Sequence, residues 1–212
     1  MFQDRTDAGK KLAATLKSYE NSKAIVLALP RGGVVVGYEV SKELNLPLDV
    51  LVVRKIGAPF NSEYAIGALS EKDTLVMGVH SGVEYSRDEV KEIIDQEKTE
   101  MKRRIRVYRA GRSLPKVGNK TVILVDDGLA TGLTAQAAIA SIRKLKAKQV
   151  VFAAPVCARD CLSTILPKID NINCLLTPDY FTSIGSYYKD FSQVSDKEVI
   201  ELLAKSKNRT KQ

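Results

Sequence analysis

The sequence holds a single histidine, His80, and only three cysteines, Cys157, Cys161 and Cys174, in 212 residues. Cys157 and Cys161 share a helical spacing that can pair two sulfurs on one face, but the histidine is far away in sequence, so a metal centre is poorly supported. With no secretory signal, the three cysteines read as buried thiols. No apolar run approaches the ~20 residues needed to cross a bilayer. The amino terminus has no apolar segment of signal-peptide type, so no membrane partner and a cytoplasmic location are expected. Internal repeats and low-complexity segments are missing as well. What is present is 44% apolar and 27% charged, the composition of a globular chain with one sizeable core. Its net charge of +8 suits a polyphosphate substrate, a nucleic acid or a solvated surface, and does not choose among them.

The richest stretch is Thr121 to Thr134, TVILVDDGLATGLT. An apolar run of strand type ends in two adjacent carboxylates, Asp126 and Asp127, followed by a small-residue loop and an Ala-rich helix from about Ala135. A buried strand delivers such acids to the carboxyl edge of a sheet, where open α/β folds bind ligands. Gly128 and Gly132 let the loop turn tightly, and the helix that follows offers free amides and a positive dipole end to a phosphate. Thr131 and Thr134 add hydroxyls to that cradle. The paired acids beside it suit vicinal ribose hydroxyls or a magnesium-associated ligand.

Upstream, Ala8, Leu12, Leu16 and Tyr19 form one stripe of an amphipathic helix, with Asp4 or Thr6 as its cap. Ala24 to Leu29 is a fully covered strand, Pro30-Arg31-Gly32-Gly33 a turn, Val34 to Leu44 a helix and Leu48 to Val53 the next strand. That βαβ order predicts parallel strands. Arg31, Gly32 and Gly33, at a strand's end and a helix's start, can present amides and a guanidinium to an anion. Arg54 and Lys55 then lead into a Gly- and Pro-containing segment that reads as a mobile loop. Tyr64 to Ser70 and Thr74 to His80 predict a small antiparallel hairpin.

Ser86 to Glu89 is a capping box that opens a long helix to about Ala110, with Gly111 as its stop. Val90, Ile94, Glu97, Met101, Ile105 and Tyr108 mark the inward stripe. Lys102, Arg103, Arg104, Arg106, Arg109 and Arg112 make its second half the most basic stretch, either a solvated face or a polyanion surface. The helix from Ala135 to about Leu145, the strand Gln149 to Ala154, the helix Arg159 to Leu166 and the strand Ile172 to Leu176 complete the alternation. Thr177 to Phe191 carries Tyr180, Phe181, Tyr187, Tyr188 and Phe191, rings that either stack on a planar base or pack this element onto the core. Ser195 to Glu198 is a second capping box, and Lys205 to Gln212 reads as a disordered polar tail.

The Thr121 to Thr134 stretch resembles the PRPP-binding motif of type I phosphoribosyltransferases, an apolar strand, two acids, a small loop and Thr-Gly-x-Thr. Phe2-Gln3-Asp4-Arg5, Leu29-Pro30-Arg31-Gly32-Gly33, Val53-Arg54-Lys55-Ile56-Gly57-Ala58-Pro59 and the aromatic tail extend the resemblance over nearly the whole chain. They are similar to the predicted phosphoribosyltransferase group whose base specificity is undefined. The resemblance implies an α/β fold with a Rossmann-like, mainly parallel five-stranded sheet flanked by helices. It implies one domain over 1–212, with a flexible loop and helical insertion at about 55–112 and a small hood at about 177–205.

By the same resemblance, Asp126 and Asp127 hold the ribose hydroxyls of PRPP and support a Mg2+ carried by it, with no direct protein metal site. Gly128, Leu129, Ala130, Thr131, Gly132, Leu133 and Thr134 form the phosphate loop, and Arg31, Gly32 and Gly33 meet pyrophosphate. Lys55 and Arg54 are the loop candidates for catalysis, and Tyr180, Phe181 and Tyr187 the hood candidates for the base. A homodimer is implied. Ala130 stands where the 6-oxopurine branch carries an acid, which argues against hypoxanthine and guanine, and no general base is identifiable. The competing expectation is a PRPP-sensing regulator that binds RNA or DNA through the basic helix.

Overall fold

The computed structural model describes residues 1–78 and 85–209. Five parallel strands form the central sheet in the order β2 (Leu48–Val50), β1 (Ile25–Ala28), β6 (Thr121–Val125), β7 (Gln149–Val156) and β8 (Asn171–Leu176). Their alternation sorts side chains between two cores. Val26, Ala28, Ile123, Val125, Val151 and Ala153 face α1 (Arg5–Thr15), α2 (Gly32–Glu43) and α6 (Asp196–Arg209). Ile25, Leu27, Val122, Leu124, Val150 and Phe152 face α4 (Leu133–Lys144) and α5 (Arg159–Ile165). Strands covered on both sides need continuous apolar runs, which is what the sequence supplies. Each fully buried Val, Leu or Ile contributes ~1.5–3 kcal/mol, so this three-layer arrangement is where most of the favourable folding energy resides.

The expected Leu48 to Val53 strand is divided. Its first part, β2, stays in the parallel sheet, and Val53 begins β3 (Val53–Ala58) of a separate antiparallel sheet with β4 (Asn61–Ser70) and β5 (Thr74–Met77). Arg54 and Lys55 therefore sit on a strand, which corrects the mobile-loop expectation. The reason is local: Val53, Ile56 and Ala58 are buried, while Arg54 and Lys55 remain half-exposed. The register shifts next to Gly57, so Gly and Pro here serve an irregular strand end and its turn. The hairpin expected from Tyr64 to Ser70 and Thr74 to His80 is present as β4 paired antiparallel with β5, which ends at Met77, and His80 lies outside the described residues.

Helix α3 (Arg87–Arg109) starts and stops where the sequence signals place it, with Ala110 in the left-handed region (φ 49°) and Gly111 after it (φ 77°). Ser86 takes an extended cap conformation but makes no side-chain cap bond, whereas Ser195 Oγ accepts from the Glu198 amide at 3.2 Å, so only the second capping box bonds as expected. At the amino terminus, Asp4 Oδ1 caps α1 by accepting from the Asp7 amide at 2.7 Å.

Two further expectations are corrected. Residues 205–209 are helical, because the Arg209 guanidinium donates to Ser41 O at 2.9 Å, Ser41 Oγ at 2.7 Å and Leu46 O at 3.2 Å, which fastens the last turn of α6 to the end of α2. Cys157 and Cys174 are joined by a disulfide, which leaves Cys161 as the free thiol. The helical spacing of Cys157 and Cys161 does not pair them, because Cys157 follows β7 outside α5, and Cys174 on the adjacent strand β8 lies 6.2 Å away between Cα atoms.

The basic half of α3 is largely committed to internal pairs. Arg103 and Arg104 bond Glu100, at 2.7 and 2.8 Å, and Arg103 also reaches Asp196 at 3.1 Å. These partners, the Arg103 bond first, hold the Glu100 carboxyl down at about 2. Arg109 is buried and paired with Glu71, and Arg112 donates to Arg109 O at 3.0 Å. Lys102 and Arg106 stay exposed. A nucleic-acid surface on this helix would need the charges that these carboxylates already hold.

Candidate functional site

From β1 the chain moves outward to β2, while from β6 it moves the other way to β7 and β8. The carboxyl ends of β1 and β6, which are hydrogen-bonded neighbours, therefore flank the switch point where open α/β sheets open a crevice. The turn 30–33 leaves β1 there and the loop 126–132 leaves β6 there. The two are in contact: a Cβ on Gly32 would lie 1.9 Å from Asp127 Oδ2, and one on Gly33 would lie 2.9 Å from Asp126 Cα. A side chain at either position would fill the space that lets the turn touch the carboxylates.

The loop is fastened from below. The Asp126 amide donates to Ala153 O (3.2 Å), the Leu129 amide to Val156 O (2.9 Å) and the Ala158 amide to Leu129 O (2.8 Å). The Cys161 thiol bonds Ala130 O. Gly132, with φ +76°, turns the chain into α4 in a conformation that disfavours a side chain. The first amides of α4 have no intrahelical acceptors and face the crevice end of the sheet with the positive dipole end. Thr131 is exposed and Thr134 half-buried beside them. A groove of 660 Å³ continues from Thr131 and Leu133 towards Tyr64 and Met77 of the inserted sheet.

The acids are not equivalent. Burial, the Asp127 charge and a hydrogen bond between the two carboxyls push Asp126 well above the usual carboxylate range, while its Oδ1 accepts from the Asp127 amide at 2.9 Å. Asp127 Oδ2 pairs with Arg5 Nε at 2.8 Å, with both side chains largely buried. The Tyr188 hydroxyl donates to Asp127 O at 2.6 Å, and burial first, then the Asp127 charge, raises its phenol. In the ligand-free fold Asp126 thus favours its protonated form more than it does in the unfolded chain, whose ordinary value is 3.8. Stability falls as pH rises from there. Asp126→Asn removes that cost, so its melting temperature will exceed the wild type's by a margin that widens as pH rises above about 4. Thermal melts across that range check the sign.

The acid pair and the 30–33 turn thus meet, but the other expected site residues scatter. Arg31 Nη1 is 3.8 Å from Asp196. Arg54 Nε bonds Glu97 at 2.6 Å and Lys55 Nζ bonds Glu63 at 3.1 Å. Both line a separate 420 Å³ groove that includes neither Asp126 nor Asp127. The aromatic segment divides. Tyr188 and Phe191 pack with Phe2, which is the packing alternative, while Tyr180 is exposed and Phe181 and Tyr187 stack with centroids 5.8 Å apart. Residues that sequence reasoning did not assign are Arg5 and Tyr188, which bond Asp127, and Phe191, which packs against both of them. The Phe2-Gln3-Asp4-Arg5 segment stood out only by resemblance, and no local signal links it to an acid 122 residues away.

Among the described residues no group of three or more His, Cys, Asp or Glu is gathered as a metal cage. Two carboxylates beside a phosphate-type loop match the chemistry of Mg2+ held by one or two carboxylates together with a ligand's phosphates. No helix of the described residues is long and apolar enough to cross a membrane.

Fold and site define an open α/β protein with a crevice at its switch point. Residues 3–187 match the family model of the phosphoribosyl transferase domain, and the chain belongs to that family. It is 40% identical over 210 residues to a protein of two Mycobacterium tuberculosis strains, named "Putative phosphoribosyl transferase". The match takes in 96% of this chain but 46% of those relatives, so the chain spans about half their length. The crystal structure of a Thermus thermophilus protein superposes with a TM-score of 0.80 at 34% identity, covering 96% of this chain and 98% of that one. A hypothetical protein from Neisseria gonorrhoeae, solved with bound ppGpp, shares the fold at 12% identity, with a TM-score of 0.52 and 97% and 98% coverage.

Proposed function

We propose that this chain is a phosphoribosyltransferase that uses PRPP with Mg2+ to transfer the phosphoribosyl group to a nitrogen base or amine, releasing pyrophosphate. The observation that carries this reading is the contact between the 30–33 turn and the Asp126–Asp127 pair at the switch point. It sets an anion-type turn and an acid pair side by side at the carboxyl edge of the sheet, as a phosphorylated sugar would need.

In the reaction, the bond from the anomeric carbon to pyrophosphate oxygen breaks with its electron pair, and the acceptor nitrogen forms the new bond and loses a proton. Positive charge builds on the ring as in glycoside cleavage, so the protein's work is orientation and charge stabilisation. Asp126 and Asp127 accept from the ribose hydroxyls. Amides of residues 130–134 and the Thr131 and Thr134 hydroxyls hold the 5′-phosphate. Arg31 and the amides of Gly32 and Gly33 take the pyrophosphate. When bound, Mg2+ would be carried on the ligand's own oxygens with Asp126 and Asp127 in support, and would neutralise the pyrophosphate charge. Ala130 offers no acid to a base, which fits an acceptor other than a 6-oxopurine.

The test is calorimetric titration of PRPP with Mg2+. Asp126→Asn/Asp127→Asn should leave a folded protein with no measurable PRPP binding. Wild-type affinity in that variant would remove the basis of the reading.

A further inference from the structure

Arg5 enters the crevice from α1, an element that belongs to neither loop. Its Nε donates to Asp127 Oδ2 at 2.8 Å and its Nη1 to Ser192 O at 2.9 Å, while the guanidinium lies 3.8 Å from the centroid of the Phe191 ring. Phe191 in turn packs against Tyr188, with ring centroids 5.0 Å apart, and the Tyr188 hydroxyl donates to Asp127 O at 2.6 Å. The contacts close a ring through Arg5, Asp127, Tyr188 and Phe191. The Arg5 and Asp127 side chains are 11% and 14% exposed, so water competes little for the pair. Two directed N–H bonds and a flat stacking face are properties of a guanidinium, and an ammonium cannot provide all three. Gly32 completes the fit, because a Cβ there would lie 2.7 Å from Arg5 Nε.

We propose that Arg5 is a positioning residue for the sugar-binding carboxylate: it fixes Asp127 Oδ2 and, through the same side chain, ties residues 188–192 to the acid pair. The proposal rests on the reading of Asp127 as a ribose acceptor. Without Arg5 the Asp127 carboxylate is free to rotate, faces an anionic substrate without its counter-charge, and loses its link to the aromatic segment. Arg5 touches Asp127, and its effect on PRPP passes through that residue.

A double-mutant cycle tests this. PRPP binding with Mg2+ is measured by calorimetry on the full chain for wild type, Arg5→Gln, Arg5→Lys, Asp127→Asn and Arg5→Gln/Asp127→Asn, with a thermal melt of each. Arg5→Gln is expected to weaken PRPP about tenfold in the wild-type background and less than about twofold in the Asp127→Asn background. Arg5→Lys should recover part of the loss; if Arg5→Gln does not fold, Arg5→Lys and Arg5→Lys/Asp127→Asn carry the same comparison. Equal losses in both backgrounds would mean that Arg5 meets the ligand directly or acts only on the fold, and would overturn the proposal. So would a lowered melting temperature with unchanged PRPP affinity. Unchanged affinity in Asp127→Asn overturns the ribose reading and this proposal together, whereas a weakened Asp127→Asn with additive Arg5→Gln overturns this proposal alone.

Discussion

Glu71→Ala will lower the melting temperature by roughly 10 °C. Arg109 is 1% exposed and Glu71 is its acid partner; Glu71 Oε1 also accepts from the Val52 amide at 2.9 Å, at the junction between the two sheets. Two Arg109 nitrogens, Nε and Nη1, already have no hydrogen-bond partner, so removing Glu71 leaves a buried guanidinium without compensation. Stripping one member from a buried pair costs about 3–5 kcal/mol, and in a chain of this size each kcal/mol moves the midpoint by about 2–4 °C. Replacing both partners, as Glu71→Leu/Arg109→Met, should recover most of the loss, because the charge and its desolvation leave together. Thermal melts of the two variants decide it: a double variant no better than Glu71→Ala would show that shape, and not charge, matters at this junction.

The second large effect separates two neighbouring glycines. A methyl at Gly32 strikes the Asp127 carboxylate and the Arg5 guanidinium, both side chains, whereas one at Gly33 strikes Asp126 Cα at 2.9 Å and Val125 O at 3.0 Å, both backbone. Gly32→Ala should therefore melt within about 3 °C of wild type while PRPP affinity falls about a hundredfold, the usual consequence of moving a contact by an ångström. Gly33→Ala should lose affinity and also about 1–3 kcal/mol of stability, since the end of β6 itself must shift. Equal melting temperatures for the two variants would contradict the geometry.

The strands β1, β6 and β7 were legible because double burial demands unbroken apolar runs, and Asp126 to Thr134 because a ligand loop concentrates unusual chemistry in adjacent residues. The antiparallel β3 was missed: its burial pattern is irregular, and Gly57 and Pro59 carry the same local signal as a loop. Arg109 read as surface charge because its stripe is basic, and only the tertiary position of Glu71 turns it inward. The last turn of α6 looked like a polar tail for the same reason, since its anchor is a carbonyl of Ser41. Arg5, Tyr188 and Phe191 could not be found by pattern at all. Their chemistry at Asp127 depends on contacts between residues 61 and 122 apart in sequence, which no helical or strand period records.

The ring at Asp127 also orders events during synthesis. Arg5 leaves the ribosome well before its carbonyl acceptor, Ser192, which follows 187 residues later. At ~5–20 residues per second the nascent chain spends about 10 to 40 seconds with that bond unavailable. The parallel sheet can collapse meanwhile, since β1, β2, β6, β7 and β8 all precede Ser192. The crevice is thus among the last parts of the molecule to be completed, and a translating chain lacks the Tyr188 and Ser192 contacts to Asp127 and Arg5 until the aromatic segment arrives.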